Sequence, residues 1–107
     1  MTAVLLSGSG GAGQDGNSLN FTNIAAGATT AVKSGSGTLK RIVINKKVAN
    51  GVITIYDNTA ASGTKIATIT NPATLLDNAQ QLDYDVAFNT GLTVVTSAAD
   101  DVTVVWK

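Results

Sequence analysis

The stretch Gln81-Leu82-Asp83-Tyr84-Asp85-Val86-Ala87-Phe88 decides the fold class. Leu82, Tyr84, Val86 and Phe88 alternate with Gln81, Asp83, Asp85 and Ala87. Successive side chains of a strand point to opposite faces, so this period of two gives one apolar and one wet face. A helix would space its apolar residues three and four apart. The pattern continues downstream. Asn89-Thr90-Gly91 turns the chain, residues 92–96 run back, and residues 97–100 turn again. Val102, Val104 and Trp106 then share a face, with Thr103, Val105 and Lys107 opposite. The expectation is a three-stranded meander that closes at Lys107.

Upstream the same reasoning gives further strands. In residues 39–46, Ile42 and Ile44 lie on one face and Arg41, Val43 and Asn45 on the other. Residues 52–56 carry Ile53 and Ile55 on one face. Asn50-Gly51 between them is a strong hairpin signal, because both residues accept positive φ. A strict two-residue turn would set Lys46 opposite Ile55, so a longer loop or a bulge is an equal alternative. Residues 64–70 form another strand with Ile66 and Ile69, ended by Asn71-Pro72, since Pro cannot donate to a ladder. Residues 72–79 leave room for one helical turn around Leu75 and Leu76. At least six strands at regular spacing predict an all-β fold, a small antiparallel β-sandwich or a barrel.

Composition agrees. The 107 residues suit one domain, and Thr (15), Val (11) and Ile (7) are β-branched, a type that fits a pleated sheet. Seven Lys and Arg balance seven Asp, so the formal charge is zero, which argues against a nucleic-acid partner. His, Cys and Glu are missing, so ordinary zinc, haem and iron–sulfur sites, thiol nucleophiles and disulfides are not expected. No cofactor is expected. The start, Met1-Thr2-Ala3-Val4-Leu5-Leu6, lacks a basic region and a long apolar run, so no signal peptide is read there. No stretch approaches the ~20 apolar residues of a membrane span, and no membrane partner is expected.

Two unlike parts divide the chain. Residues 1–37 hold eight of the eleven Gly and only two charges, Asp15 and Lys33. Residues 38–107 hold the other twelve charges and form the expected antiparallel β domain. The first part reads as a Gly/Ser/Ala-rich N-terminal arm or loosely packed segment. Residues 7–16 offer little apolar area against the entropy of ordering them. Two readings stand: a disordered tail, or an arm that orders only against a partner, with Leu5, Leu6, Leu19, Phe21 and Ile24 as anchors; Leu5, Leu6, Phe21 and Ile24 are the candidate interface residues.

Several motifs are weaker than they look. Gly8-Ser9-Gly10-Gly11-Ala12-Gly13 matches G-x-G-x-x-G, but no amphipathic helix follows and no acid stands about twenty residues on to hold a ribose. Asp83 and Asp85 share a strand face, a spacing that paired carboxylates can use, yet solubilising charge is the ordinary role. Asp100-Asp101 suits a tight turn. Lys40, Arg41, Lys46 and Lys47 make a small basic cluster that can guard a sheet edge or meet an acidic surface. Trp106 is expected in the core. No catalytic residues are assigned.

The last third also carries a resemblance. Tyr84-Asp85-Val86-Ala87-Phe88-Asn89-Thr90-Gly91-Leu92-Thr93-Val94-Val95-Thr96, followed by Asp101-Val102-Thr103-Val104-Val105-Trp106, resembles the C-terminus of small virion proteins of tailed bacteriophages. Residues 37–45, Ile53-Thr54-Ile55-Tyr56-Asp57 and Ser62-Gly63-Thr64-Lys65-Ile66-Ala67 fit the same pattern, so the resemblance spans about residues 37–107. It implies a β-sandwich or jelly-roll-like domain and a non-enzymatic structural protein at the capsid surface of a virion. Such a protein decorates and cements the shell by binding the major capsid protein, commonly as a homotrimer. A tail or receptor-binding fibre module, and a cellular binding or adhesion domain, are the alternatives.

Overall fold

A computed structural model describes residues 18–107. Among the described residues there are eight strands and no helix. They are β1 (Asn20–Ile24), β2 (Ala28–Ser34), β3 (Gly37–Lys46), β4 (Val52–Asp57), β5 (Thr64–Thr70), β6 (Gln80–Phe88), β7 (Gly91–Thr96) and β8 (Asp101–Trp106). They form two four-stranded antiparallel sheets, ordered β1-β8-β3-β6 and β2-β7-β4-β5. The sheets enclose one core in a sandwich-like arrangement. The first sheet supplies Ile24, Leu39, Ile42, Ile44, Phe88, Val102 and Val104, and the second Ile53, Ile55, Leu92 and Val94. Each such side chain gains roughly 1.5–3 kcal/mol on leaving water.

Alternation builds these strands as expected. Ile42 and Ile44, Ile53 and Ile55, and Val102 and Val104 all point inward and are fully buried. The connections differ from the expectation. Consecutive strands alternate between the sheets everywhere except at β4 and β5, the one in-sheet hairpin. Residues 80–106 are therefore no meander: β6 and β8 lie in one sheet and β7 in the other. Asn50-Gly51 likewise makes a turn and not a hairpin. Asn50 has φ 63° and the Gly51 N–H donates to Val48 O at 3.0 Å, but the turn carries the chain from one sheet to the other. A hairpin would have brought Lys46 towards the core beside Ile55. Crossing over leaves Lys46 exposed and lets both isoleucine pairs face inward.

The border drawn at residue 37 does not limit the sheets. Residues 20–24 and 28–34 are edge strands, one in each sheet, and Ile24 closes the core opposite Val102. The helical turn expected in residues 72–79 is absent. That segment is an irregular loop with Leu76 96% exposed. Pro72 and the docking of Asn71 hold its start extended. The chain also breaks register in both sheets. One irregularity sets Lys40 against Tyr84 and Asp85, where Asp85 takes φ 53°.

Candidate interaction surface

Of the four candidate interface residues, Leu5 and Leu6 lie outside the described residues. Phe21 stands 72% exposed on the outer face of the first sheet, opposite Val105. Ile24 is buried and belongs to the core, so its side chain is committed to the domain's own interior. Alternation within β1 separates the two: Thr22 and Ile24 face inward, while Phe21 and Asn23 face out. Among the described residues Phe21 is the one exposed aromatic; Phe88 is buried, and Tyr56, Tyr84 and Trp106 are half-buried.

Around Phe21 the outer face is mixed. Arg41 lies beyond Val105 and faces Asp83, with Nε 3.6 Å from the Asp83 carboxylate. One step along the sheet, two amides grip one acid. Asn23 Nδ2 and Asn45 Nδ2 donate to Asp101 Oδ1 at 2.8 and 3.1 Å. Both also donate to Thr103 Oγ1, at 3.3 and 3.1 Å. The two amide bonds hold the Asp101 carboxyl below the usual range. The network ties β1, β8 and β3 together beside the exposed ring, across a face that charge alone would leave loose.

The basic cluster expected from sequence is divided, and three of its four cations meet separate carboxylates while Lys46 stays exposed. Lys40 pairs with Asp85, whose carboxyl is held low by that hydrogen bond and charge. Arg41 faces Asp83, and Lys47 reaches Asp77 at 3.0 Å. Lys40 lies within β3, and Lys47 follows its last residue. Asp83 and Asp85 do not act as a pair, because the irregular register sends each to its own cation. Burial raises the Tyr84 hydroxyl pKa above its ordinary value. Trp106 packs against the core but remains half-buried, with the Lys33 ammonium 5.8 Å from its ring centroid.

The two ends of the sandwich are tied in different ways. At one end the Asp57 carboxylate accepts from the backbone N–H groups of Asn89, Thr90 and Gly91. Those bonds, to Asn89 first, hold its carboxyl below the usual range. At the other end Asp100 is 1% exposed, and its Oδ2 accepts from Asn71 Nδ2 at 2.6 Å. The same Asn71 amide donates to Val48 O at 3.0 Å. The other Asp100 oxygen, Oδ1, has no hydrogen-bond partner and lies against Gly51, where an added Cβ would stand 2.7 Å from it. Sequence reasoning placed Asp100 in a tight turn and missed this buried pair. No local signal links residues 29 apart.

Among the described residues no group of three or more His, Cys, Asp or Glu gathers, and no pocket opens. No helix among them is long and apolar enough to cross a membrane. Comparison with protein-family models, curated proteins and solved structures finds no match. What the geometry offers is therefore surface: an exposed aromatic on an edge strand, a tied polar network beside it, and an exposed leucine on an anchored loop.

Proposed function

We propose that the protein is a jelly-roll decoration protein of a phage capsid. It cements the shell by binding the major capsid protein from outside, as a homotrimer and without chemistry of its own. The observation that carries this reading is the strand order. In the two sheets β1 pairs with β8, β2 with β7, β3 with β6 and β4 with β5. Four nested antiparallel pairs split between two sheets support a jelly roll, an architecture used by viral capsid domains. The resemblance of residues 37–107 to small virion proteins supports the same reading, and its segments fall on β3 to β8.

Binding the assembled shell and not its separate subunits would stabilise the shell by mass action. The contact would centre on Phe21 and on the chain that precedes it, with Leu5 and Leu6 as further anchors. Jelly rolls also occur in lectins, the fold's route to a fibre module. A lone exposed aromatic among the described residues favours a protein partner over a stacked sugar.

The experiment mixes full-length protein, a deletion of residues 1–17 and Phe21→Ala with undecorated particles, then heats the complexes. Full-length protein should bind saturably and raise the melting temperature of the shell, and both variants should bind less. Unchanged occupancy and melting for both variants would overturn the placing of the contact. Failure of the full-length protein to bind any shell would overturn decoration itself. Sedimentation of free and shell-released protein tests the trimer, which a persistent monomer in both would refute.

A further inference from the structure

The Asn50-Gly51 step is the only Asn-Gly pair in the sequence, and the fold does not use it as a hairpin. We propose that Asn50 is a site of spontaneous deamidation, gated by the turn it occupies, and that its conversion releases one end of the sandwich. The reasoning is chemical. A backbone nitrogen can attack the side-chain carbonyl of the residue before it. The reaction is fastest when that nitrogen belongs to glycine, which has no Cβ to obstruct the approach. Gly51 N gives up its proton to base and bonds to Asn50 Cγ. The Cγ–Nδ2 bond breaks and ammonia leaves. Water then opens the succinimide ring at either carbonyl, giving aspartate or isoaspartate. No oxidant or cofactor takes part.

The folded turn restrains this step. Asn50 is exposed, but the Gly51 N–H is held by Val48 O at 3.0 Å. Gly51 itself is buried, and its O accepts from Asn71 N at 2.9 Å. Asn50 N donates to Pro72 O at 3.3 Å, and the Asn71 side chain grips Val48 O. The nitrogen is free to attack only when the Gly51 N–H leaves Val48 O, an opening that the bonds of Asn50, Gly51 and Val48 to residues 71 and 72 oppose.

The product would not fit back. Isoaspartate adds a main-chain carbon just before Gly51, which is so enclosed that an added Cβ would stand 2.7 Å from Asp100 Oδ1 and 3.0 Å from Val48 O. Either product also adds a carboxylate near the buried Asp100 side chain. The loop at residues 71–79, held here through Asn71 and through Lys47 to Asp77 and Asn78, would lose its first anchor.

The test incubates full-length protein at mildly alkaline pH, both folded and in urea. Conversion at Asn50 is followed by peptide mass spectrometry, and hydrogen exchange is read at Asn71. Folded protein should convert at Asn50 at least about tenfold more slowly than unfolded protein, as gating by a local opening requires. Asn71→Ala, checked for folding by circular dichroism, should close most of that gap. The converted fraction should lose protection at the Asn71 amide. Equal rates in the folded and unfolded chain would overturn the gating. An Asn50 that converts in urea but never in the folded protein would overturn its being a modification site of the native molecule. Full protection at Asn71 after conversion would overturn the release.

Discussion

Truncating the two members of the buried Asn71–Asp100 pair should have unequal costs. Asn71→Ala leaves a carboxylate that is 1% exposed without its one donor. Its Oδ1 already lacks a partner, and no cation pairs with Asp100 among the described residues. A hydrogen bond to a charged group contributes about 1.5–3 kcal/mol, and stranding the charge adds more, so the loss should reach about 3 kcal/mol or above. Asp100→Ala removes the charge. Asn71 keeps its bond to Val48 O, and the cost falls to about 1–2 kcal/mol for a small cavity and one lost bond. The double variant should lie close to Asp100→Ala, giving a coupling of about 3 kcal/mol, nearly the whole cost of Asn71→Ala. Urea unfolding measures all three, and the midpoint should move with little change in slope. Additive losses, or an Asn71→Ala no worse than Asp100→Ala, would refute the claim that the amide serves a buried charge.

Other outcomes follow from the same geometry. Backbone donors depress the Asp57 carboxyl, so it contributes stability above its unfolded pKa, and this is lost as pH falls through its lower folded value. Asp57→Asn should therefore flatten the acid side of the stability profile, and an unchanged profile would count against those donors. Ile55→Ala should cost about 2–5 kcal/mol as a fully buried core truncation, read by thermal unfolding. Phe21→Ala should alter stability by less than about 0.5 kcal/mol, since the ring is exposed, and should act on shell binding instead.

Much of the sandwich was legible because its inward residues alternate. The isoleucines of β3 and β4 and the valines of β8 follow the period of two, and in β6 Leu82, Tyr84 and Phe88 do so, whereas Val86, expected on the same face, is 37% exposed. Strands β1 and β2 escaped because the sequence between Asn20 and Ser34 offers mostly Asn, Thr and Ala. Their pairing comes from β8 and β7, which are distant in sequence. Alternation says which face a strand buries but not which sheet holds it. The hairpin at Asn50-Gly51 and the meander at residues 80–106 failed for that reason. Leu92, Thr93 and Val94 are all buried, since Thr93 Oγ1 donates to Asn58 O at 2.7 Å under the β4–β5 loop, and such cover leaves no periodic trace. Of the candidate surface, Phe21 was legible as an apolar residue in a polar setting. Ile24 looked alike in sequence, and the parity of β1 gives it to the core.

Counting the copies bound per particle, by quantitative mass spectrometry of shells saturated with purified protein, tests the central claim most directly. Decoration predicts saturation at a copy number that scales with the number of capsomers, together with a higher shell melting temperature. A handful of copies at a single vertex, or no binding at all, would contradict it.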